Sequence, residues 1–83
     1  MKANELLPDH VDSREINGVV VRKGTVGAFL INAKVWLDSS SDSTQHQQAE
    51  RDMVESLPAL RALGFLDVFA ARDPALQKLI DSV

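Results

Sequence analysis

The residues with the greatest chemical potential in this sequence are Arg22, Lys23, Gly24 and Thr25, which follow the valine run Val19-Val20-Val21. Two cations, a glycine turn and a hydroxyl at the start of a helix would suit an anion, because helix N-terminal amides point outward and carry partial positive charge. The residue order departs from the phosphate-loop pattern G-x-x-x-x-G-K-[ST], since Lys23 precedes its glycine, and G-x-G-x-x-G does not occur. The same residues also suffice for a plain corner: Gly24 turns, Thr25 caps the helix, the cations are solvated, and Gly27 lets the helix approach the strand. The structural reading ranks first, and anion or nucleotide binding at Arg22 to Thr25 is the alternative.

No other group of residues forms a catalytic or metal-ligating pattern. His10 and His46 are far apart in sequence and belong to neither H-x-x-x-H nor H-E-x-x-H, so both read as surface histidines, with Asp9 and Glu50 as chance ion-pair partners. Asp38 and Asp42 sit in a serine-rich loop that lacks the glycine and the twelfth-position glutamate of a calcium-binding loop. No G-x-S-x-G surrounds any serine. The expectation is a protein that is not an enzyme and has no metal and no cofactor.

Trp36 is a candidate contact residue, because tryptophan is enriched at the centres of interfaces. It sits on the flank of a helix, next to the side opposite the main apolar stripe, where Ile31 and Val35 lie. The three form the expected interface, with core packing as the competing assignment for Trp36. Phe65 and Phe69 read as core.

These residues need elements to position them. Residues 1–12 are expected to form a loosely ordered arm with a short Leu6-Leu7 pair. Val19 to Val21 have the β-branched character of a strand covered on both faces. Asn17-Gly18 before them is the favoured dipeptide of a two-residue hairpin turn, so Ser13 to Ile16 can form a partner strand, although Ser13-Arg14-Glu15 is a polar lead-in.

Residues 25–38 fit both periods. As a helix capped by Thr25, they place Val26, Phe29, Leu30, Ala33 and Leu37 on one stripe; as a strand, they alternate Phe29, Ile31, Ala33, Val35 and Leu37. Length favours the helix, whose opposite side, with Ala28, Ile31 and Val35, is apolar as well. A helix apolar on two sides must be sandwiched or covered by a second subunit, which points to a homodimer.

Residues 38–44 read as a flexible solvated loop. The next helix is expected to start at a capping box of Thr44 and Gln47, to carry Ala49, Met53, Leu57, Leu60 and Leu63 on one face, to kink or break at Ser56 to Pro58, and to end at Gly64. Phe65, Val68 and Phe69 suggest a short strand pairing with Val19 to Val21. Asp73-Pro74 then supplies an N-cap and an N1 proline for a terminal helix carrying Leu76, Leu79, Ile80 and Val83. A helix-turn-helix reading of residues 54–80 fails on its contacts, since only Gln77 and Lys78 of the last helix could touch DNA, with Asp73 and Asp81 opposing them.

Composition sets the broad limits. The chain has 83 residues, 45% apolar and 25% charged, as in ordinary globular domains, and no cysteine, which removes disulfides and thiolate zinc sites. The net charge is −3, and residues 38–83 are the acidic half, which would repel a phosphate backbone. Residues 1–15 hold no apolar run of signal-peptide length, no segment is apolar enough to cross a bilayer, and the expected location is the cytoplasm.

The expected fold is therefore α+β, with a two- to three-stranded antiparallel sheet packed against about three helices in one small domain, residues 1–83. The expected function is a small protein–protein interaction or regulatory module that self-associates, with neither nucleic acid nor membrane as partner.

Overall fold

The computed structural model describes residues 2–8 and 10–83, and its elements run in the order helix, hairpin, then four helices. A single turn, α1 (Ala3–Leu6), precedes Leu7, whose side chain is buried. The N-terminal arm is thus tied down at its middle. The expected contact between Asp9 and His10 lies outside the described residues, and His10 is exposed.

The hairpin pairs β1 (Ser13–Ile16) with β2 (Val19–Arg22), antiparallel, from Ile16↔Val19 at the turn to Ser13↔Arg22 at the open end. Asn17 and Gly18 have φ of 51° and 79°. Positive φ at both central positions is what a type I′ turn needs, and its twist matches that of the strands it joins. The Lys23 amide donates to the Asp12 carbonyl at 2.7 Å, which extends the pairing by one bond.

Two expectations about this sheet need correcting. Only one face of β2 is covered: Val21 is buried, but Val20 between its neighbours is 57% exposed. Among the described residues the sheet has two strands, and the segment expected as a third is helical.

Residues 25–37 form α2 (Thr25–Leu37), so length decided correctly between the two periods. The N-cap is Gly24 (φ 83°), not Thr25. Thr25 instead donates its hydroxyl to the Arg22 carbonyl at 2.7 Å, which ties the helix start to the strand end but satisfies no helix amide.

The long helix α3 (Ser43–Leu63) begins two residues earlier than expected, because Asp42-x-x-Gln45 overlaps Thr44-x-x-Gln47 and both match the capping pattern. The Asp42 carboxylate accepts from the Gln45 amide at 2.8 Å, and the Gln45 side chain accepts from the Asp42 amide at 2.9 Å. A carboxylate at this position also gains from the positive end of the helix dipole, which a threonine hydroxyl does not.

Pro58 does not break α3, contrary to expectation. Its ring is exposed, and Leu57, Ala59 and Leu60 around it are buried, so packing keeps the helix continuous despite the missing amide donor. Gly64 ends the helix with φ 80°, as its position implied.

The residues expected as a third strand form the single turn α4 (Phe65–Val68). The Phe69 amide donates to the Phe65 carbonyl at 2.9 Å, and the two rings sit i, i+4 with centroids 5.0 Å apart. Helical spacing thus brings together two aromatics that the extended rise of a strand, about 13 Å over four residues, would have kept apart. Asp73 caps α5 (Pro74–Asp81), accepting from the Leu76 amide at 3.0 Å, with Pro74 in the first turn.

The fold is α+β: the hairpin and three helices of eight or more residues, supplemented by two single turns. α2 and α3 make a helical hairpin, and β2 packs on α3. The core is Phe29 and Ala33 of α2, Met53, Leu57 and Leu60 of α3, and Leu76 and Ile80 of α5. Arg61 fastens α5 to α3 by donating to the main-chain oxygens of Ile80 (3.0 Å) and Val83 (2.6 Å).

Candidate functional site

At the corner where β2 feeds α2, Arg22, Lys23, Gly24 and Thr25 line one open pocket together with Val26 and Gly27, so the structure brings the four expected residues together. The Lys23 Nζ donates to the Pro8 carbonyl at 2.9 Å, and the Thr25 hydroxyl donates to the Arg22 carbonyl. Arg22 lines a shallow groove together with Asp52 and Glu55 of α3. Two carboxylates beside its only cation make that groove a poor place for phosphate. Gly24 contributes its left-handed turn, a conformation that L side chains rarely adopt.

Of the three residues expected at an interface, Trp36 turns toward α3. Its indole Nε1 donates to the Glu50 carboxylate at 3.1 Å, and its ring stacks on His46 with centroids 5.0 Å apart. His46 and Glu50, one turn apart on α3, thus bracket the indole; both are half-buried. Val35 is half-buried, and its carbonyl accepts from the Ser41 hydroxyl at 2.8 Å. Ile31 alone of the three stands free, 66% exposed.

The serine-rich loop makes hydrogen bonds with its own side chains. Asp38 accepts from the Ser40 amide at 2.9 Å and from the Ser40 hydroxyl at 2.7 Å. Those two donors, the hydroxyl foremost, hold the Asp38 carboxyl below its ordinary range. Asp42 serves as the cap of α3, so the two aspartates have separate tasks, and among the described residues no group of three or more potential ligands could hold a metal ion.

The structure assembles a different site on the other flank of α2. Leu30, Ala33 and Leu37 of α2, Phe65 and Leu66 of α4, Phe69 beyond it, and Leu76 and Ile80 of α5 line an open groove of about 390 Å³. Its floor is the edge of the core. Its rim is apolar and wet: Leu30 is 52%, Leu37 45% and Phe69 59% exposed. Val68, 75% exposed, stands just outside it.

The walls are fixed by hydrogen bonds that leave the groove open. The Ala71 amide donates to the Gln77 side chain at 2.6 Å, which holds the link between α4 and α5 against α5. Asp73, although it lines the groove, is occupied as the α5 cap. Lys34 and Arg72, both exposed, are the cations of the groove.

The sequence pattern held part of this site. Leu30 and Leu37 were on the main stripe of α2, where they read as core, and Phe69 read as a buried strand residue. The missing information was the reach of the opposing surface: α4 is one turn long, and Leu30 and Leu37 are left about half exposed.

No family model, no curated protein and no solved structure matches this chain. Among the described residues no helix is long and apolar enough to cross a membrane.

Proposed function

We propose that this protein is a small protein–protein interaction module, without catalysis of its own, whose contact surface is the exposed side of α2 and the groove beside it. The observation that supports this reading is the grouping of Leu30, Ile31, Leu37, Val68 and Phe69, all large, apolar and between 45% and 75% exposed, on α2 and on the segment around α4. Single exposed apolar residues are ordinary, but Leu30, Leu37 and Phe69 share the lining of one formed groove, and such a grouping marks a contact surface. Apolar area of this kind gains roughly 25 cal/mol for each Å² removed from water, which is the driving force for association.

Self-association is part of the reading and belongs to the outer strip of α2 at Ile31, away from the groove. Sedimentation equilibrium over a wide concentration range tests it. The wild-type chain is expected to associate reversibly, and Ile31→Glu to shift it to monomer while its far-UV circular dichroism stays unchanged. A strict monomer of wild-type protein at high concentration sinks self-association and leaves the groove to other partners.

A further inference from the structure

We infer that His46 is a proton-sensitive clasp between α2 and α3, gripping the Trp36 indole in its charged form and loosening in its neutral form. The clasp is separate from the contact surface proposed above.

Trp36 lies in the last turn of α2 and His46 in the first turn of α3, so the pair spans the loop that joins the two helices. The rings are stacked, with centroids 5.0 Å apart and planes 25° from parallel. The imidazole thus sits over the face of the indole, inside the roughly 6 Å at which a cation is attracted to an aromatic ring, and tryptophan offers the strongest such face. A hydrogen bond from the indole Nε1 to the Glu50 carboxylate, 3.1 Å long, holds the ring at that angle. All three side chains are half-buried, so salt screens their interactions less than it would at an open surface.

The charges around His46 favour a proton on it. From the loop, Asp38 lines the same hollow as the imidazole; from α3 come Asp42, which caps the helix, and Glu50, one turn further on. α2 presents the indole, while its Lys34 lines the groove on the other flank. Among the described residues lining the hollow there is no lysine or arginine. The positive end of α3 acts against a charge on His46, but it amounts to about half a charge and faces three carboxylates and the indole. Histidine is the side chain whose charge ordinarily changes between pH 5 and 8. The hold on Trp36 therefore strengthens as pH falls through that window and is lost as pH rises. The Asp38 carboxyl, held below its ordinary 3.8, stays charged throughout.

Trp36 is the single tryptophan of the chain, so its emission reports this contact alone. An imidazolium touching an indole quenches its fluorescence, and the neutral ring does so weakly. The test follows Trp36 emission and the thermal midpoint of the full chain from pH 8 to pH 5, in wild type and in His46→Gln, which cannot take the charge. Wild-type emission is expected to fall along a sigmoid while that of the variant stays level. Between pH 8 and pH 5 the wild-type midpoint should gain on that of the variant by about 3 °C or more. Comparing two proteins at each pH removes the titrations they share, those of His10 and the carboxylates included. The same gain is expected against His46→Lys, whose charge does not change over this range, so the result does not hang on one variant folding.

A quench without the gain in midpoint overturns the clasp and leaves His46 as a packed ring. A change of the opposite sign overturns it too, because charge would then open the corner. Level emission in wild type overturns it by showing that no charged imidazole touches the indole.

Discussion

The two flanks of α2 are built from similar residues and meet different surroundings. On one flank Phe29 and Ala33 lie against Met53, Leu57 and Leu60, all between 0% and 6% exposed; on the other Leu30 and Leu37 look across a groove at Phe69, and all three are about half exposed. The difference comes from the opposing element. α3 is 21 residues long and runs past the whole of α2, whereas α4 offers four residues. Burial in a small domain is therefore decided by the length of what lies opposite as much as by the side chain itself, and a chain of this size leaves apolar surface wherever its second layer runs short.

The comparison breaks most visibly at its packed flank. Leu60 is fully buried at the junction of α2, α3 and α5, so Leu60→Ala removes transfer free energy and leaves a cavity. The expected loss is about 2–5 kcal/mol, a large share of the stability of a small domain. Urea unfolding followed by circular dichroism measures it. A loss within about 0.5 kcal/mol, as at an ordinary surface site, would mean that the packed flank is not the one that holds the fold.

How much of this was readable in advance divides along the same line. Local chemistry was legible: Asn17-Gly18 turned the hairpin, Gly64 ended α3, and Asp73-Pro74 opened α5, because each acts within a few residues of itself. Register was less so. Asp42-Gln45 and Thr44-Gln47 overlap, and the charge of the aspartate, set against the helix dipole, is the physical difference between them. Pro58 was read from its own backbone penalty, which the burial of Leu57, Ala59 and Leu60 outweighs. Phe65 and Phe69 depended on whether a strand partner would be free. Periodicity pointed Leu30 and Leu37 inward but carried no information about where the opposing surface ends, and so the groove was the least legible part.

The open flank should respond in the opposite sense. Leu30→Ser and Phe69→Ser remove apolar groups that are already wet, so stability is expected to change by no more than about 0.5 kcal/mol. Binding at the groove should fall sharply in the same variants. Isothermal titration beside urea unfolding separates the two effects. A stability loss comparable to that of Leu60→Ala would show that both flanks are core and would dissolve the distinction between them.

The smallest expected effect lies at the loop that joins the two helices of the packed flank. Hydrogen bonds from Ser40 lower the Asp38 pKa from its ordinary 3.8, and a carboxyl whose folded pKa is depressed contributes stability above its unfolded value and loses it as pH falls through the folded one. The Ser40 amide should therefore shift on acidification with a midpoint below 3.8, and Asp38→Asn should abolish that response. Asp38 is fully exposed, so solvent screens its charge and the unfolding midpoint at neutral pH should barely differ between Asp38→Asn and wild type. A marked drop in that midpoint would place the hold on α2 and α3 in their connecting loop, whereas an unchanged one assigns it to Phe29, Met53, Leu57 and Leu60, where the packed flank already differs from the open one.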